Sequence, residues 1–376
     1  MSPRVTILLS DTGGGHRSVA EAVRSELLML QSGLSVELVD GLLRYAPFPL
    51  NRLPDWYSKI IAYGKGVWRY GYAITDSRWI TSRLNQAARP YLRPAVRRLL
   101  RSHPAEVVVS THPLLVGTVL DELGECCSRF VTVVTDLVSA HAWWFDPRAA
   151  RTLVPTGATY RRALDFGIAS DRVRVCGLPV GRAFHDGIGD KIAACAKLGW
   201  KQDKFTVLLL GGAEGMAPLE NIARALCASS VPQQLAVVCG RNARLRAQLK
   251  ELPWGFPTYV YGFDANMAEL MTASDVVVTK AGPSTVMEAL NCGRPLLLSS
   301  AIPGQEDGNV RMVVEGGAGW WTPHPSHVLE RLHRLRKSGK LELDDAADAT
   351  QKLVTPGAAH NVAREIIALL SELART

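Results

Sequence analysis

The chain has 376 residues, more than one hydrophobic core usually supports, and its length suits two domains of ordinary size. Apolar residues make up 47% and charged residues 21%, which excludes disorder as the main state, and no uncharged apolar run is long enough for a transmembrane helix. The net charge of +8 favours anionic ligands or surfaces. Seven cysteines without C-x-x-C spacing, and a strand-like start in place of a secretory signal, predict a cytoplasmic protein.

Short apolar runs alternate with helical patterns along the whole chain. Predicted strands of a first series cover residues 5–10, 35–40, 107–110, 130–135, 152–154 and 173–176, and those of a second series cover 205–210, 235–239, 258–261, 275–279 and 295–298. Continuous apolar strands between helices predict parallel sheets covered on both faces. We therefore predict an α/β protein with two Rossmann-like, doubly wound domains facing a cleft. The N-terminal domain covers residues 1–180, the C-terminal domain covers 181–357, and a closing helix at 358–376 packs back on the first domain.

A glycine-rich loop follows the first predicted strand. The segment Ser10-Asp11-Thr12-Gly13-Gly14-Gly15-His16 leads into a helix, and its glycines, among them Gly14 and Gly15, let a substrate approach the backbone. His16 lies at the helix start, where the positive end of the dipole favours a neutral ring that accepts a proton at pH 7. Asp11 is a candidate orienting carboxylate. The alternatives are a histidine that only caps the turn and a carboxylate that only braces the loop.

The same loop matches a dinucleotide-binding fingerprint poorly. The third glycine of that fingerprint is replaced by Ser18, and Asp40 lies 27 residues past the first glycine, where the ribose-binding acid is expected at about 20. The sequence therefore disfavours an NAD-dependent oxidoreductase.

Residues 44–101 combine positive charge with aromatic side chains. They hold twelve Lys or Arg against two Asp, together with ten aromatic residues. This mixture favours an anionic membrane surface, where aromatic rings lie at headgroup level and each Lys or Arg contributes about 1 kcal/mol. The alternatives are single-stranded nucleic acid, whose bases stack on aromatics, and an ordinary surface with inward-packed rings. We assign membrane contact to Trp56, Trp68 and Trp79.

The second series of strands ends in loops suited to a diphosphate. Gly211 and Gly212 follow its first strand, and the segment Lys280-Ala281-Gly282-Pro283-Ser284-Thr285 leads from a later strand into a helix. Proline at the first helical position leaves backbone N–H groups for an anion. Lys280 and Arg241 add positive charge.

Further polar residues in this half suit a sugar nucleotide. Glu288 lies one turn into the helix, where it can accept hydrogen bonds from a ribose diol. The loop 303–309 contains Gln305, Glu306 and Asn309, whose amide and carboxylate groups suit sugar hydroxyls, and we assign Phe263 to the same pocket.

Several segments together resemble one enzyme family. The glycine-rich loop through His16, the segments 280–285 and 303–310, and Thr135-Asp136-Leu137 with His141 and Trp144 are similar to motifs of monogalactosyldiacylglycerol synthases and processive diacylglycerol glucosyltransferases. The second half is more distantly similar to the N-acetylglucosaminyl transferase of peptidoglycan synthesis. The resemblance implies a GT-B fold, inverting transfer from a UDP-sugar, and peripheral association with the cytoplasmic face of the cell membrane.

The resemblance also implies roles for individual residues. His16 would be the base that deprotonates the acceptor, Glu288 would bind the ribose, and Gln305 and Glu306 would bind the hexose. On the acceptor side it implies Asp136, His141 and Trp144.

We therefore predict an inverting transfer of galactose or glucose from a UDP-sugar to diacylglycerol, with galactose slightly favoured. No D-x-D pair or His/Cys cluster indicates a metal, so we expect no cofactor. The expected partners are UDP-galactose or UDP-glucose, diacylglycerol and anionic membrane lipids, without nucleic acid. The alternatives are a UDP-sugar epimerase of the same architecture and a non-catalytic membrane-associated binding protein.

Overall fold

The computed structural model describes residues 2–11, 14–52, 64–186, 190–212, 218–229, 231–263, 266–337 and 340–375. The chain forms two compact units. The first unit comprises Met1–Gly181, Pro303–Gln305 and Thr355–Thr376, and the second comprises Arg182–Ile302 and Glu306–Val354.

A parallel sheet forms the centre of the first unit. In the described residues its six strands are β1 (Arg4–Leu9), β2 (Ser35–Asp40), β3 (Val107–Ser110), β4 (Phe130–Val133), β5 (Arg151–Val154) and β6 (Val173–Val175), in the order β2-β1-β3-β4-β5-β6. β3 and β4 are buried throughout, as strands covered on both faces must be. The strand order reverses between β1 and β3, and ligands of such sheets bind beyond the carboxyl ends of the strands at that point.

Helices cover the first sheet and extend from it. They are α1 (Gly15–Leu30), α2 (Gly41–Tyr45), α3 (Lys65–Thr75), α4 (Arg78–Ser102), α5 (Pro113–Leu123) and α6 (Gly157–Asp165). Short 3-10 turns lie at Leu50–Arg52, Gly124–Arg129, Ala142–Trp144 and Ser170–Arg172. The side chain of Asp40 caps α2 by accepting a hydrogen bond from Leu43 N at 2.7 Å, and it also accepts one from Asp11 N at 3.2 Å. Both oxygens of Asp40 therefore serve the fold.

The second unit has the strand order of a dinucleotide-binding sheet. Its strands are β7 (Thr206–Leu210), β8 (Gln234–Val238), β9 (Thr258–Tyr261), β10 (Val276–Lys280), β11 (Leu296–Ser300) and β12 (Gly319–Trp321), in the order β12-β11-β10-β7-β8-β9. Here the order reverses between β7 and β10, which are adjacent. Gly211 and Gly212 directly follow β7 and Lys280 is the last residue of β10, so the predicted diphosphate segment lies at the switch point. The short strand β12 was not predicted.

Nine described helices belong to the second unit. They are α7 (Ala183–Asp186), α8 (Lys191–Leu198), α9 (Leu219–Cys227), α10 (Ala243–Lys250), α11 (Met267–Thr272), α12 (Pro283–Asn291), α13 (Asp307–Glu315), α14 (Pro325–Lys337) and α15 (Lys340–Leu353). The core of this unit packs leucine, valine and isoleucine from α9, α10 and α14 against the sheet.

The last helix, α16 (Ala358–Leu373), belongs to the first unit and packs against α1. Val362 and Ile366, on the apolar face of α16, are at most 1% exposed. Arg151, on β5, donates to the carboxylate of Glu365 at 2.7 Å and to that of Glu372 at 2.5 Å. An apolar stripe and two ion pairs therefore hold α16 in place.

Helices α3 and α4 expose large apolar side chains, which we call the α3–α4 face. The exposed fractions are 72% for Tyr70, 62% for Ile74 and 67% for Trp79. The guanidinium of Arg83 lies 5.4 Å from the ring centre of Trp79. None of the helices in the described ranges combines the length and apolarity needed to cross a bilayer.

Candidate active site

His16 lies in the first turn of α1, directly beyond the carboxyl end of β1. Gly14 precedes the helix with a φ of 84°, a left-handed conformation that favours glycine. Nδ1 of His16 lies 2.7 Å from the carbonyl oxygen of Thr111. Because a carbonyl only accepts, Nδ1 carries the proton and donates it, and the lone pair of the ring lies on Nε2. The imidazole is therefore in the tautomer that accepts a proton at Nε2.

Burial determines the charge of this histidine. It lowers the pKa of His16 to about 4, against the opposing effects of the Thr111 hydrogen bond and the Asp11 charge. The ring is neutral at pH 7, as predicted, but the main cause is desolvation and not the helix dipole on which the prediction was based. A neutral ring with a free lone pair is the state that a general base requires.

Three neighbouring groups enclose the ring of His16. The ring of His112 lies edge-on with centres 4.6 Å apart, the indole of Trp144 lies at 6.1 Å, and Oγ1 of Thr135 lies 3.0 Å from Nδ1. Burial lowers the pKa of His112 well below its usual value, so this second ring is also neutral. Thr111, His112 and Thr135 were not among the predicted site residues. Thr111 and His112 directly follow the predicted strand 107–110, and Thr135 is the last residue of the predicted strand 130–135 and the first of the segment Thr135-Asp136-Leu137; these positions are the signal that could have found them.

Of the two roles predicted for Asp11, the structure favours bracing the loop over orienting His16. Its two carboxylate oxygens accept hydrogen bonds from Nε and Nη2 of Arg17, each at 2.7 Å. The group that orients His16 is instead the carbonyl of Thr111. Asp11 therefore braces the loop through Arg17 and acts on His16 only through its charge.

Trp144 and Asp136, which the resemblance places on the acceptor side, form a buried pair beside His16. The indole N–H of Trp144 donates to Asp136 Oδ2 at 2.7 Å, and Trp144 has no exposed surface. A side chain in this environment supports the wall beside His16 and does not contact a membrane.

His141 is also buried and has a structural partner on each nitrogen. Nδ1 accepts from the backbone N–H of Trp143 at 3.2 Å, so Nε2 carries the proton and lies 3.1 Å from Oγ1 of Thr75 on α3. The hydroxyl of Tyr72, also on α3, donates to Ser139 O at 2.6 Å. His141 therefore helps to hold α3 against the loop that follows β4, and its predicted place on the acceptor side stays a prediction.

The tryptophans predicted to contact a membrane differ in exposure. Trp79 lies on the α3–α4 face and is 67% exposed, whereas Trp68 is half-buried. Trp56 lies outside the described residues. Of the two of these tryptophans that the structure describes, Trp79 has the exposure that better fits membrane contact.

In the second unit, Lys280 and Glu306 form a short ion pair beside the loop after β7. Nζ of Lys280 donates to Glu306 Oε1 at 2.6 Å, and Glu306 Oε2 accepts from Ile302 N at 2.8 Å. The side chain of Glu306 is only 2% exposed and both of its oxygens are engaged, so in this structure it supports Lys280, and its contact with the hexose stays a prediction. A Cβ on Gly282 would lie 2.9 Å from Nζ, so the glycine makes room for this lysine.

The segment after Lys280 leads into α12 with Pro283 at its start. The Oγ of Ser284 is buried and has no hydrogen-bond partner in the described part of the chain, while Thr285 is half-buried. Asn309, on α13, is buried and donates to Ala281 O at 2.9 Å, so it ties α13 to this segment. Free N–H groups at the start of α12 and an unsatisfied hydroxyl are groups that an anion would satisfy.

The remaining predicted residues are more accessible. Glu288 is half-buried on α12, and burial raises its pKa to about 7. Gln305 is half-buried. Arg241 is exposed, and its guanidinium lies 4.3 Å from the ring centre of Phe263, which is 50% exposed. An exposed ring with an arginine on its face is suited to stacking a planar base.

Comparison with solved structures confirms the predicted two-domain GT-B fold class. The MurG of Acinetobacter baumannii superposes with a TM-score of 0.61 at 16% identity, over 97% of this chain and 99% of that one. A UDP-GlcNAc 2-epimerase from Neisseria meningitidis, solved with UDP-GlcNAc, gives 0.59 at 13% identity, over 98% and 100%. Because transferases and epimerases share this architecture, the fold does not decide the reaction.

Sequence comparison gives the family. Residues 16–180 match the monogalactosyldiacylglycerol (MGDG) synthase family, and residues 206–352 match the C-terminal domain of glycosyltransferase family 28. Monogalactosyldiacylglycerol synthase 2 of Arabidopsis thaliana is 35% identical over 96% of this chain and 80% of the relative, and the spinach synthase is 33% identical over 98% and 73%. The chain therefore belongs to the monogalactosyldiacylglycerol synthase family, as the motifs of its sequence predict.

Proposed function

We propose that this protein transfers galactose from UDP-galactose to the free hydroxyl of 1,2-diacylglycerol, with inversion at the anomeric carbon. Family membership supports the reaction class and the choice of galactose. The observation that carries the proposal is the neutral imidazole of His16, whose Nδ1–H is committed to Thr111 and whose Nε2 is left to accept a proton.

In this mechanism the first unit supplies the base. As the acceptor oxygen bonds to the anomeric carbon, its proton passes to Nε2 of His16. The bond between that carbon and the UDP oxygen breaks on the opposite face, and its electron pair leaves with the diphosphate. One displacement of this kind inverts the anomeric centre, and no covalent enzyme intermediate is required.

The second unit supplies the groups that bind UDP. The first N–H groups of α12, the hydroxyl of Ser284 and the ammonium of Lys280 stabilise the negative charge that develops on the diphosphate. Glu306 holds Lys280 at 2.6 Å and so fixes the position of this charge. Glu288 accepts from the ribose diol, and Phe263 and Arg241 stack on uracil. Gln305, which belongs to the first unit, binds the hexose. Lys280, Arg241 and the first N–H groups of α12 supply the positive charge that a metal ion supplies in other transferases, so the proposed mechanism requires no metal.

The α3–α4 face is proposed to bring the protein to an anionic membrane that contains the acceptor. Tyr70, Ile74 and Trp79 expose apolar surface, and the surrounding arginines attract anionic headgroups. The proposed location is peripheral, on a cytoplasmic membrane face.

The test supplies the full-length protein with UDP-galactose or UDP-glucose and diacylglycerol in liposomes that contain phosphatidylglycerol. With UDP-galactose as the donor, we expect release of UDP and formation of an equimolar amount of monogalactosyldiacylglycerol, identified by mass spectrometry. A preference for UDP-glucose would reassign the donor, and conversion of UDP-galactose without lipid would indicate an epimerase. No UDP release with either donor would contradict an enzymatic function.

A further inference from the structure

The Nδ1 side of His16 is held by two neutral oxygens. The carbonyl oxygen of Thr111 lies at 2.7 Å and the hydroxyl oxygen of Thr135 lies at 3.0 Å from Nδ1. Among the described residues, no carboxylate is hydrogen-bonded to this ring, because Asp11 is committed to Arg17. In Ser-His-Asp sites, by contrast, a buried aspartate orients the histidine from the same nitrogen.

The sheet positions both oxygens rigidly. Thr111 directly follows β3, and Thr135 follows β4 by two residues, while β1, β3 and β4 are neighbours in the sheet. The backbone N–H of Thr111 donates to Leu8 O at 2.9 Å, which fixes its peptide against β1. Thr135 is only 3% exposed, so water does not compete for its hydroxyl.

The chemistry of the base gives these contacts a function. When Nε2 of His16 accepts the acceptor's proton, the ring becomes an imidazolium and its Nδ1–H becomes a stronger donor. The carbonyl of Thr111 and the hydroxyl of Thr135 can share this N–H, which stabilises the charge as it forms. Neutral oxygens achieve this without the strong rise in pKa that an adjacent carboxylate would cause, so the free enzyme keeps the ring unprotonated.

We propose that Thr135 is a positioning residue, whose hydroxyl acts with the Thr111 carbonyl to fix the rotation and tautomer of His16 and to stabilise its imidazolium. This inference rests on the proposed function, because it takes His16 as the base. It assigns Thr135 a part in the chemical step and none in the binding of the donor.

The test compares two buried threonines of the same strand region. Thr135→Val removes the hydroxyl and keeps the shape, and we expect kcat to fall about 10- to 100-fold, the loss typical of a hydrogen bond to a charged group. The KM for UDP-galactose and the Kd for UDP stay unchanged. Thr132→Val is the matched control, because Thr132 lies on β4, is fully buried and has a hydroxyl without a partner in the described ranges. Thr135→Ser, which restores the hydroxyl, should recover most of kcat.

A double-mutant cycle separates positioning from a merely structural effect. If Thr135 acts through His16, adding Thr135→Val to His16→Ala causes no further loss of the residual activity. A full additional loss in that background, equal kcat values for Thr135→Val and Thr132→Val, or failure of serine to rescue would each overturn the inference. Thr135→Ala is used in the same way if the valine variant no longer binds UDP.

The controls also separate this inference from the proposed function. A wild-type protein that makes no galactolipid would overturn the proposed function and this inference with it. An active wild type whose Thr135→Val variant matches Thr132→Val would overturn the inference alone.

Discussion

At the scale of single residues, the partner of each polar group decides what that group does. His16 and Asp11 are close in the sequence, and a histidine–carboxylate pair is a reasonable prediction from that spacing. The structure pairs Asp11 with Arg17 because the turn of α1 brings the guanidinium to the loop. Sequence identifies the candidate base, whereas the oxygens that orient it come from residues 95 and 119 positions away and depend on strand order.

Gly282 provides a test of how Lys280 is positioned. Gly282→Ala places a Cβ 2.9 Å from Nζ of Lys280 and 3.6 Å from Glu306 Oε1, so the lysine must move. The φ of −68° at this residue is open to alanine, and we expect the fold to persist while the affinity for UDP falls about 10-fold, as for one displaced charged hydrogen bond. Isothermal titration with UDP measures the change.

Gly255→Ala is the matched control, because a Cβ there meets nothing within 4 Å. Equal UDP affinities of the two alanine variants would contradict this account of Lys280.

The raised pKa of Glu288 predicts that binding of the donor depends on pH. Its pKa of about 7 means that the carboxyl is mostly protonated below pH 7 and ionised above it. A carboxylate accepts stronger hydrogen bonds from a ribose diol than the acid does, so the KM for UDP-galactose should fall about five-fold as the pH rises from 6 to 8. His16, with a pKa of about 4, does not titrate in this range.

Kinetics at constant ionic strength measure this profile. Glu288→Gln, which does not titrate, should have a KM that is flat with pH. A flat profile in the wild-type protein would show that Glu288 does not contact the ribose as an acceptor.

At the scale of elements, sequence predicts where strands begin and end better than it predicts how elements pack against one another. Apolar runs placed nine of the eleven predicted strands within one residue at both ends. The prediction 130–135 extends two residues past the end of β4, and the prediction 295–298 stops two residues before the end of β11. The three-residue strand β12 is too short for a pattern to indicate. α4 continues through Pro90 and Pro94, which local rules treat as helix breaks, and sequence patterns give no measure of the packing that overrides them.

The exposed apolar side chains of the α3–α4 face predict that helices α3 and α4 contact the membrane. Replacing Ile74 with serine and Trp79 with alanine removes exposed apolar surface, and we expect binding to phosphatidylglycerol liposomes to weaken about 10-fold. Co-sedimentation with liposomes measures it.

Ile192→Ser is the control for this face, because Ile192 is 67% exposed on α8, outside the basic segment. An equal effect of both changes, or none from either, would contradict a membrane role for the α3–α4 face.

At the scale of the whole molecule, each unit has candidate site residues at the point where its strand order reverses. His16 follows β1, which lies beside β3, and Lys280 is the last residue of β10, which lies beside β7. The sequence predicts two doubly wound domains and their glycine-rich loops, because both are local patterns. It does not predict the order of the strands, and so it misses Thr111, His112 and Thr135, which only that order brings to His16.

The most direct test of the central claim is kcat of His16→Ala, measured together with the Kd for UDP. General base catalysis contributes about 10²–10⁴-fold, so we predict a loss of that size with UDP affinity retained. His327→Ala, at an exposed position of α14, serves as the control and should match the wild type. A His16→Ala variant that makes galactolipid at the wild-type rate would contradict the account.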